Sequence, residues 1–428
     1  MLEPPTVPSV AYLTGRYPAI SHTFVAREVD ALRALGLDVH TCSVWRTADA
    51  ELLTDDDRRR LDETLTLLPL RPRRLLSTHL RAATRAPRRY ARALGSAWSL
   101  ARPGVRGRAL AALWFAEAVV LADHCDRHGI GHIHAHLNGT APSVAAIAAE
   151  LGGGARTWSL TVHGPSEFYD VPGEQLAEKV RRATFVVAIS DFARSQLMAL
   201  VGEEHWAKIA IVHCGVDPAA FACDERPPDP DGRLRILNVA RLSDMKGQGV
   251  LLEALADLRR RGVPAHVTLV GDGPRRPELE RMAQRLGVAG AVTFAGSVGQ
   301  DRIAAFYRDA DVFCSTSFAE GVPVVLMEAG AMRLPVVAPA IMGIAELVED
   351  GVTGLLTPPA RPDLVADALA RLAADPAEAE RMGRAGRDRV AAEFDVTGEA
   401  LRLAALLAGG RPGPRRSAAV AEPALPAR

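Results

Sequence analysis

Short apolar runs alternate with longer amphipathic segments along almost the whole of this 428-residue chain, and this rhythm is the feature that most restricts its fold. A run of four to eight apolar residues is typical of a buried strand, and an amphipathic segment of about 10 to 15 residues is typical of a covering helix. Strands and helices that alternate in this way form parallel sheets with helices on both faces. A chain of this length fits two such domains, each large enough to bury a core.

Twelve segments match the strand pattern, six in each half of the chain: residues 9–13, 37–45, 131–137, 157–163, 184–190 and 208–213, then 233–240, 266–271, 292–296, 311–317, 335–339 and 354–358. The proline-rich segment FACDERPPDPDGR, residues 221–233, can continue neither a helix nor a strand and predicts a linker. We therefore predict an α/β protein with two Rossmann-like domains, residues 1–218 and 219–408. Residues 409–428 are rich in proline and predict a disordered tail.

Composition narrows the class of protein. The chain has 51 Lys and Arg against 51 Asp and Glu, whereas a dedicated nucleic-acid binder usually has a basic excess. The segment MLEPPTVPSVAYL has no basic region before a long apolar run, and no uncharged window of about 18 residues follows, so we expect a soluble, cytoplasmic protein. Its five cysteines lack paired spacing, which favours reduced, buried thiols over disulfides or a zinc ribbon.

One interval departs from this balance. Between Arg71 and Arg108 there are eleven arginines and no Asp or Glu, interleaved with leucine, alanine, Tyr90 and Trp98. One interpretation is a solvated helical face in an arginine-rich protein. The other is a basic amphipathic surface that meets anionic lipid at the inner face of the membrane, where each nearby cation contributes about 1 kcal/mol.

The HIHAH segment is a second local feature. It places His132, His134 and His136 on one face of a strand, as a metal site would require. Alternate residues of a strand stand about 7 Å apart, too far for three of them to share one ion easily. We therefore predict no metal here and interpret the segment as a wall that faces an acceptor.

The segment FAEGVPVVLMEAGAMRLP, residues 318–335, places two carboxylates in apolar surroundings, Glu320 before a glycine and Glu328 eight residues later. It follows the predicted strand at 311–317, and Pro323 suits the first turn of a helix. The start of that helix offers free backbone amides from about Gly321 to Val324 to an anion. A carboxylate beside an anion site is explained by a ligand that carries hydroxyl groups as well as phosphates.

Cations for such phosphates occur earlier in the same half. The segment NVARLSDMKG ends a predicted strand and delivers Arg241 and Lys246 to its carboxyl end, where ligands bind in doubly wound sheets. Two cations there can neutralise a diphosphate without a metal. Gly271 and Gly273 then follow the next strand and permit a tight turn close to a ligand.

Spaced motifs in this order resemble the family 4 retaining glycosyltransferases of the two-domain GT-B architecture, in which the domains face each other across a cleft. The matching residues are Gly215-Val216-Asp217, Arg241 with Lys246-Gly247, Gly271-Asp272-Gly273-Pro274, Phe294 with Gly296, Glu320-Gly321 with Pro323, Glu328-Ala329, Pro335-Val336-Val337, Gly343 with Glu346, and Gly351 with Gly354. The resemblance covers residues 8–405 and is weakest between 50 and 130. The segment YLTGRYPAISHTFVAREV resembles the amino-terminal signature of a branch that builds exopolysaccharide or lipid-linked oligosaccharide.

The resemblance implies roles for individual residues. Glu328 would bind the ribose hydroxyls of a nucleotide sugar, Arg241 and Lys246 its diphosphate, and backbone groups from Phe294 to Ser297 its base. Glu320 would lie against the donor sugar at the reacting carbon, and His163, in an HG context after a strand, would contact that sugar. The alternative for His163 is that it only caps the strand. The remaining implied donor contacts are Gly15, Gly273, Gly321, Val322 and Pro323.

The family also implies an activity: retaining transfer of a sugar from a nucleoside diphosphate donor to an acceptor hydroxyl, without metal or cofactor. The acceptor would be a glycan, a lipid-linked or a small molecule in polysaccharide or glycoconjugate biosynthesis. Three departures from the family pattern, at Gly15, His22 and Arg333, bear on the acceptor and leave the donor site intact. Two alternatives stay open. One is an epimerase or phosphorylase on this scaffold, although no phosphorylase lysine motif is found, and the other is a non-catalytic protein that binds membrane surfaces.

Overall fold

The computed structural model describes residues 9–221 and 229–410. Within these ranges the strands are β1 Val10–Arg16, β2 Val39–Trp45, β3 Leu65–Leu68, β4 His132–His136, β5 Thr157–Val162, β6 Phe185–Ala188, β7 Ile209–Ile211, β8 Leu234–Val239, β9 Ala265–Val270, β10 Val292–Gly296, β11 Val312–Cys314, β12 Val336–Pro339 and β13 Gly354–Thr357. All twelve predicted strands are present. The sequence missed β3, because this strand has four residues, lies at the edge of its sheet and fully buries only Leu67.

Helices alternate with these strands. In the described residues they are α1 Thr23–Ala34, α2 Asp55–Glu63, α3 Pro72–Arg85, α4 Pro87–Leu100, α5 Val105–His128, α6 Thr140–Gly152, α7 Val171–Glu174, α8 Leu176–Arg182, α9 Asp191–Leu200, α10 Gln248–Arg260, α11 Arg276–Arg285, α12 Ile303–Arg308, α13 Val324–Ala331, α14 Ile344–Leu347, α15 Pro362–Ala374, α16 Pro376–Glu393 and α17 Val396–Leu407. None of them is long and apolar enough to cross a membrane.

The strands form two parallel sheets. The first has the order β3-β2-β1-β4-β5-β6-β7 and the second the order β10-β9-β8-β11-β12-β13. In each sheet the order reverses beside the first strand of its half, between β1 and β4 and between β8 and β11. Doubly wound sheets bind ligands at the carboxyl ends of the strands at this reversal. The predicted α/β architecture with two Rossmann-like domains is confirmed.

The two domains meet at the carboxyl ends of their sheets. Glu346, at the start of the second domain's α14, accepts hydrogen bonds from the backbone amides of Asp191 (2.7 Å) and Phe192 (2.8 Å), at the start of α9. The last helix, α17, returns to the first domain and buries Leu403 in a core that contains Leu32 of α1. These contacts bring the loops that follow β5, β8 and β11 to one cleft.

Several predicted features lie partly outside the described ranges. Most of the linker (residues 222–228), the tail from residue 411 and Cys223 belong to this group. The cysteines that are described, Cys42, Cys125, Cys214 and Cys314, are buried free thiols, as the sequence predicted. The basic interval forms α3, α4 and the start of α5.

Candidate active site

The loop between β11 and α13 brings two predicted site residues into contact. Glu320 Oε1 accepts hydrogen bonds from Ser317 Oγ (2.6 Å) and from Lys246 Nζ (2.5 Å), which arrives from the loop after β8. The side chain of Glu320 is 12% exposed and that of Lys246 is 29% exposed. A carboxylate predicted to face the sugar and a lysine predicted to bind the diphosphate are therefore adjacent at the switch point of the second sheet.

The start of α13 lies beside this pair. The helix begins at Val324, with Pro323 in the preceding N-cap position, so it is shorter than the predicted helix and begins one residue after the proline. Within the described residues, the backbone amides of Gly321, Val322 and Val324 make no hydrogen bond. A Cβ on Gly321 would lie 2.0 Å from the carbonyl oxygen of His163, so only glycine allows the two domains to approach here.

Glu328 lies one turn further along α13 and is almost fully buried. Its Oε2 accepts a hydrogen bond from Tyr307 Oη (2.7 Å), and its Oε1 accepts one from Arg27 Nη2 (2.5 Å). Burial and the Glu328 charge hold the pKa of Tyr307 well above its ordinary value, so the phenol stays protonated and donates. Both carboxylate oxygens of the residue predicted to bind ribose are thus engaged by the protein.

Arg27, on α1 of the first domain, is a site residue that the sequence analysis missed. Its Nη2 also donates to Gln300 Oε1 (2.6 Å), and its guanidinium lies 5.3 Å from the centre of the Phe221 ring. Its Nη1 is buried without a hydrogen-bond partner in the described residues. A cation therefore reaches from the first domain into the predicted ribose site.

The other predicted donor residues have different local surroundings. A Cβ on Gly273 would lie 2.3 Å from the carbonyl oxygen of Leu242, so this turn needs glycine, whereas a Cβ on Gly15 would make only ordinary contact with Trp45. Phe294 lies beneath the guanidinium of Arg276, 5.8 Å from its ring centre. Arg241 is exposed after β8 and makes no side-chain ion pair in the described part of the chain, which leaves its charge available.

His163 follows β5 and is held on all sides. Its Nε2 lies 2.8 Å from His136 Nδ1, its Nδ1 lies 3.6 Å from Cys214 Sγ, and its ring packs 4.4 Å from that of Phe24. Burial first, and then the neighbouring His136 and His22, hold the pKa of His163 well below its ordinary value. His163 is therefore neutral. Its ring contacts several buried side chains, whereas a residue that only capped the strand would need none of these contacts.

A buried carboxylate fixes the loop that carries His163. Glu167 Oε2 accepts hydrogen bonds from the backbone amides of His163 (2.5 Å) and Gly164 (2.9 Å), and its Oε1 accepts one from the amide of Asn138. Burial raises the pKa of Glu167 to about 7, and these three amides oppose that rise. The HG segment is thus held in one conformation at the cleft.

The prediction that HIHAH forms a wall facing the acceptor is wrong for His132 and His134. Both are buried, and their ring nitrogens bond to hydroxyl groups of β5: His132 to Thr157 and Ser159, and His134 to Ser159 and Thr161. Polar side chains of two neighbouring strands satisfy each other inside the sheet. Only His136, the last of the three, reaches the network around His163.

One group in the described residues could be considered for a metal: Glu28, His134 and His136, whose ligand atoms lie within 4.8 Å of one another. Both nitrogens of His134 are already hydrogen-bonded to hydroxyl groups. A metal ligand needs a free nitrogen lone pair, so this donor set does not fit a resident ion. The prediction of a metal-free site stays a prediction.

Two family models match the chain in succession. The model described as Glycosyltransferase Family 4 matches residues 82–220, and the model described as Glycosyl transferases group 1 matches residues 224–389. Together they cover parts of both domains. The first contains His136 and His163, and the second contains both glutamates and both predicted diphosphate cations.

Individual relatives agree with these models. A GDP-mannose-dependent alpha-(1-6)-phosphatidylinositol monomannoside mannosyltransferase of Mycolicibacterium smegmatis is 36% identical over 248 residues, which span 54% of this chain and 63% of that protein. Its namesake in Mycobacterium tuberculosis is 33% identical over 295 residues, which span 63% and 74%. A protein of Salmonella typhimurium provisionally named a colanic acid biosynthesis glycosyltransferase is 27% identical over 410 residues, which span 93% and 99%.

The fold is also similar to that of solved structures. The crystal structure of Anabaena Alr3699/HepE in complex with UDP has a TM-score of 0.69 at 19% identity and covers 94% of this chain and 100% of that one. Fold and site together define a two-domain transferase of the GT-B type. The chain belongs to the group 1, family 4 glycosyltransferases, and the resemblance of its motifs to that family is confirmed.

Proposed function

We propose that this protein transfers a sugar from a nucleoside diphosphate sugar to an acceptor hydroxyl with retention of configuration and without a metal. The observation that carries this proposal is the contact between Lys246 and Glu320 beside the free amides at the start of α13. This contact supports the proposal, because a cation and free helix amides that suit a diphosphate lie directly beside a carboxylate that suits sugar hydroxyls. His163 of the first domain lies on the other side of the cleft, where its backbone carbonyl closely approaches Gly321.

The leaving diphosphate gains negative charge as its bond to the sugar breaks. Lys246, Arg241 and the amides near Gly321 stabilise that charge, and the amides do so from positions that the start of α13 already fixes. Most of the rate enhancement then comes from positioned charges that are complementary to the transition state. A metal ion would duplicate what these groups supply.

The names of relatives narrow the classes of donor and acceptor. The mycobacterial relatives are named for a GDP-mannose donor and a phosphatidylinositol mannoside acceptor, and the Anabaena structure contains UDP. A purine and a pyrimidine diphosphate thus occur among related proteins. We assign this chain a nucleoside diphosphate sugar as donor, and a lipid-linked or polysaccharide glycan as acceptor.

Acceptor dependence separates a transferase from an epimerase. The purified protein is mixed with UDP, GDP and ADP sugars, with and without glycolipid and oligosaccharide acceptors, and release of nucleoside diphosphate is measured. We expect release only when an acceptor is present, and NMR of the product should show the anomeric configuration of the donor. Interconversion of two nucleotide sugars without any acceptor would overturn the proposal.

A second proposal concerns where the protein works: the basic interval docks on an anionic membrane surface. The outward face of α3 carries Leu76 and Leu80, which are 73% and 62% exposed, between the exposed Arg73 and Arg81. Two large apolar side chains flanked by cations on one helical face match a helix that lies in the lipid headgroup region. Such a surface suits an enzyme with a lipid-linked acceptor.

Vesicle co-sedimentation tests this surface. We expect the protein to sediment with vesicles of phosphatidylglycerol and phosphatidylcholine at low salt, and less as salt screens the charges. A double variant, Leu76→Ser with Leu80→Ser, should lose most of this binding. Leu401→Ser, which changes a leucine on α17 that is 54% exposed, is the control. Equal sedimentation with neutral vesicles, or an unaffected double variant, would favour the solvated helical face.

A further inference from the structure

A line of contacts runs from α1 through β4 to the residue that faces the predicted sugar site. Glu28 Oε1 lies at ion-pair distance, 3.1 Å, from His136 Nε2, and the hydroxyl of Tyr12 donates to the same oxygen. His136 Nδ1 lies 2.8 Å from His163 Nε2. Tyr12 and His136 are fully buried and His163 nearly so. Two imidazoles in series thus connect a carboxylate to the cleft.

The chemistry of the end groups favours one direction for each proton in this line. His136 Nε2 is buried and makes no hydrogen bond in the described residues, but it lies 3.1 Å from Glu28 Oε1. Because a carboxylate oxygen attracts a proton and repels a lone pair, the charge of Glu28 favours the proton of His136 on Nε2. Its Nδ1 is then a lone pair, which makes His163 Nε2 the donor between the rings. His163 Nδ1 is left as an acceptor towards the thiol of Cys214, and burial, with nearby carboxylates adding to it, raises the pKa of that thiol and keeps its proton in place.

The alternative direction is disfavoured by the same geometry. If His136 carried its proton on Nδ1, its Nε2 lone pair would face Glu28 Oε1 across 3.1 Å. Tyr12 cannot relieve this contact, since its own hydroxyl is already committed to Glu28. Burial, followed by the Glu28 charge, raises the pKa of Tyr12 and keeps that hydroxyl protonated. The arrangement with the proton of His136 on Nε2 is therefore the one that the charge of Glu28 favours.

We propose that Glu28 and His136 are positioning residues that lock His163 as the neutral Nε2–H tautomer and place the charge of a carboxylate behind it. The line does not deliver a proton to the substrate, because each ring nitrogen of His163 faces a protein group. It sets the electrostatic character of the ring that faces the sugar. The family resemblance of the sequence implies no role for Glu28 or for His136.

The consequence for the reaction rests on the proposed function. When the diphosphate leaves, the sugar ring becomes positively charged, and an imidazolium at His163 would oppose that change. A neutral imidazole that donates a hydrogen bond to a ring lying 3.1 Å from a carboxylate carries extra negative partial charge, because the carboxylate polarises that ring and the ring polarises its donor. The cations Lys246 and Arg241 then stabilise the negative charge on the diphosphate. Glu320, together with the polarised ring of His163, stabilises the positive charge on the sugar.

A kinetic comparison tests the positioning role. Glu28→Gln retains the size of the side chain and removes its charge, and we expect kcat to fall about tenfold or more while the donor KM stays within about twofold. Glu28→Asp should restore part of kcat. The control is Glu63→Gln, which removes an exposed carboxylate on α2 that pairs with Arg33. An unchanged kcat in Glu28→Gln, or a fall that Glu28→Asp does not reduce, would overturn the proposal.

A spectroscopic measurement reads the tautomer without any substrate. In protein labelled with ¹⁵N-histidine, the signals of His163 are assigned by their absence in His163→Gln, and the shifts of its two nitrogens identify which one is protonated. We expect Nε2–H in the native protein and a mixture of tautomers in Glu28→Gln. Nδ1–H in the native protein would overturn the assignment. Because the measurement uses no donor, it can confirm or contradict the tautomer of His163 whether or not the protein is a transferase.

Discussion

Arg27 of the first domain and Glu328 of the second form an ion pair across the cleft, with 2.5 Å between Arg27 Nη2 and Glu328 Oε1. The Glu328 side chain is only 4% exposed, so its charge is paired where water is almost excluded. Removing one partner of such a pair typically costs about 3 to 5 kcal/mol, because the other charge is left buried and uncompensated. Ribose hydroxyls that bind Glu328 must therefore replace Arg27 or share the carboxylate with it.

The first prediction follows from this competition between Arg27 and the ribose hydroxyls for the Glu328 carboxylate. Among the described residues, Arg27→Ala leaves the Glu328 carboxylate with Tyr307 as its remaining hydrogen-bond partner, so the melting temperature of the nucleotide-free protein should fall. A nucleoside diphosphate supplies hydroxyls to that carboxylate, so it should raise the melting temperature of Arg27→Ala more than that of the native protein. Thermal shifts with and without nucleotide measure both effects.

The control for this measurement is Arg33→Ala, on the same helix, whose partner Glu63 is half-exposed and 3.6 Å away. Exposed pairs contribute about 0 to 1 kcal/mol, so its nucleotide shift should match that of the native protein. A smaller shift in Arg27→Ala than in the native protein would mean that Arg27 binds the nucleotide itself.

The sequence predicted the strands and the donor loops because both are local signals. Apolar runs mark every described strand except β3. Arg241, Lys246 and Glu320 all follow predicted strands whose carboxyl ends meet at one edge. The contact between Lys246 and Glu320 is a direct result of that topology. Position after a strand was therefore enough to find these residues.

The sequence did not reveal Arg27, Glu28 or Tyr307, because their roles depend on partners far along the chain. Arg27 and Glu328 are separated by 301 positions and lie in different domains. The only signal for Arg27 and Glu28 was the segment FVAREV within the amino-terminal signature, which does not show what these two residues contact. Similarly, the three histidines of HIHAH are evenly spaced in the sequence. Only the fold distinguishes the two that hydrogen-bond within the sheet from the one that reaches His163.

The second prediction concerns the cations at the diphosphate. Lys246→Ala and Arg241→Ala should each weaken the binding of a nucleoside diphosphate by about 1.5 to 3 kcal/mol, as expected for loss of a charge-assisted hydrogen bond. Isothermal calorimetry measures the change. Arg259→Ala, on the exposed face of α10, should bind normally. Native affinity in both site variants would remove these residues from the donor site.

The third prediction concerns metal. Activity should survive an excess of EDTA, because Lys246, Arg241 and the amides at the start of α13 supply the charge stabilisation that a divalent ion would provide. Initial rates after dialysis against chelator measure this, with magnesium and manganese added back separately. Complete loss of activity with chelator, reversed by either ion, would contradict the prediction.

The fourth prediction concerns stability and pH. Glu117 on α5 is fully buried, and its two carboxylate oxygens have no hydrogen-bond partner in the described residues. Burial raises its pKa from the ordinary 4.5 to about 8. The folded state then binds more protons than the unfolded state between these values, so the contribution of Glu117 to stability is lost as the pH rises from about 4.5 to 8.

Glu117→Gln removes this titration. The native protein should therefore lose stability relative to Glu117→Gln between pH 5 and pH 8, as measured by urea unfolding at each pH. The effect of Glu167, whose pKa also rises, is common to both proteins and cancels. Glu150→Gln, at a half-exposed position on α6, is the control and should follow the native pH dependence. A constant difference between native and Glu117→Gln proteins at all pH values would show that Glu117 is not a buried titrating group.

The last prediction separates the two glutamates of the α13 segment. Glu328→Gln retains the shape of the side chain and part of its hydrogen bonding to ribose, so it should mainly raise the donor KM and leave kcat within about tenfold. Glu320→Gln removes the charge that we propose lies nearest the sugar, so it should lower kcat by about a hundredfold or more while donor binding persists.

Steady-state kinetics with a saturating acceptor give both constants, and calorimetry gives donor binding independently. Glu253→Gln, an exposed carboxylate on α10, should change neither constant. The contact with Lys246 adds a further expectation: because Glu320→Gln frees the lysine from its ion pair, the nucleoside diphosphate should bind this variant as tightly as the native protein or more tightly. If both glutamate variants instead changed KM and kcat in the same proportion, Glu320 would not lie at the sugar, and the site would depend on Lys246, Arg241 and His163.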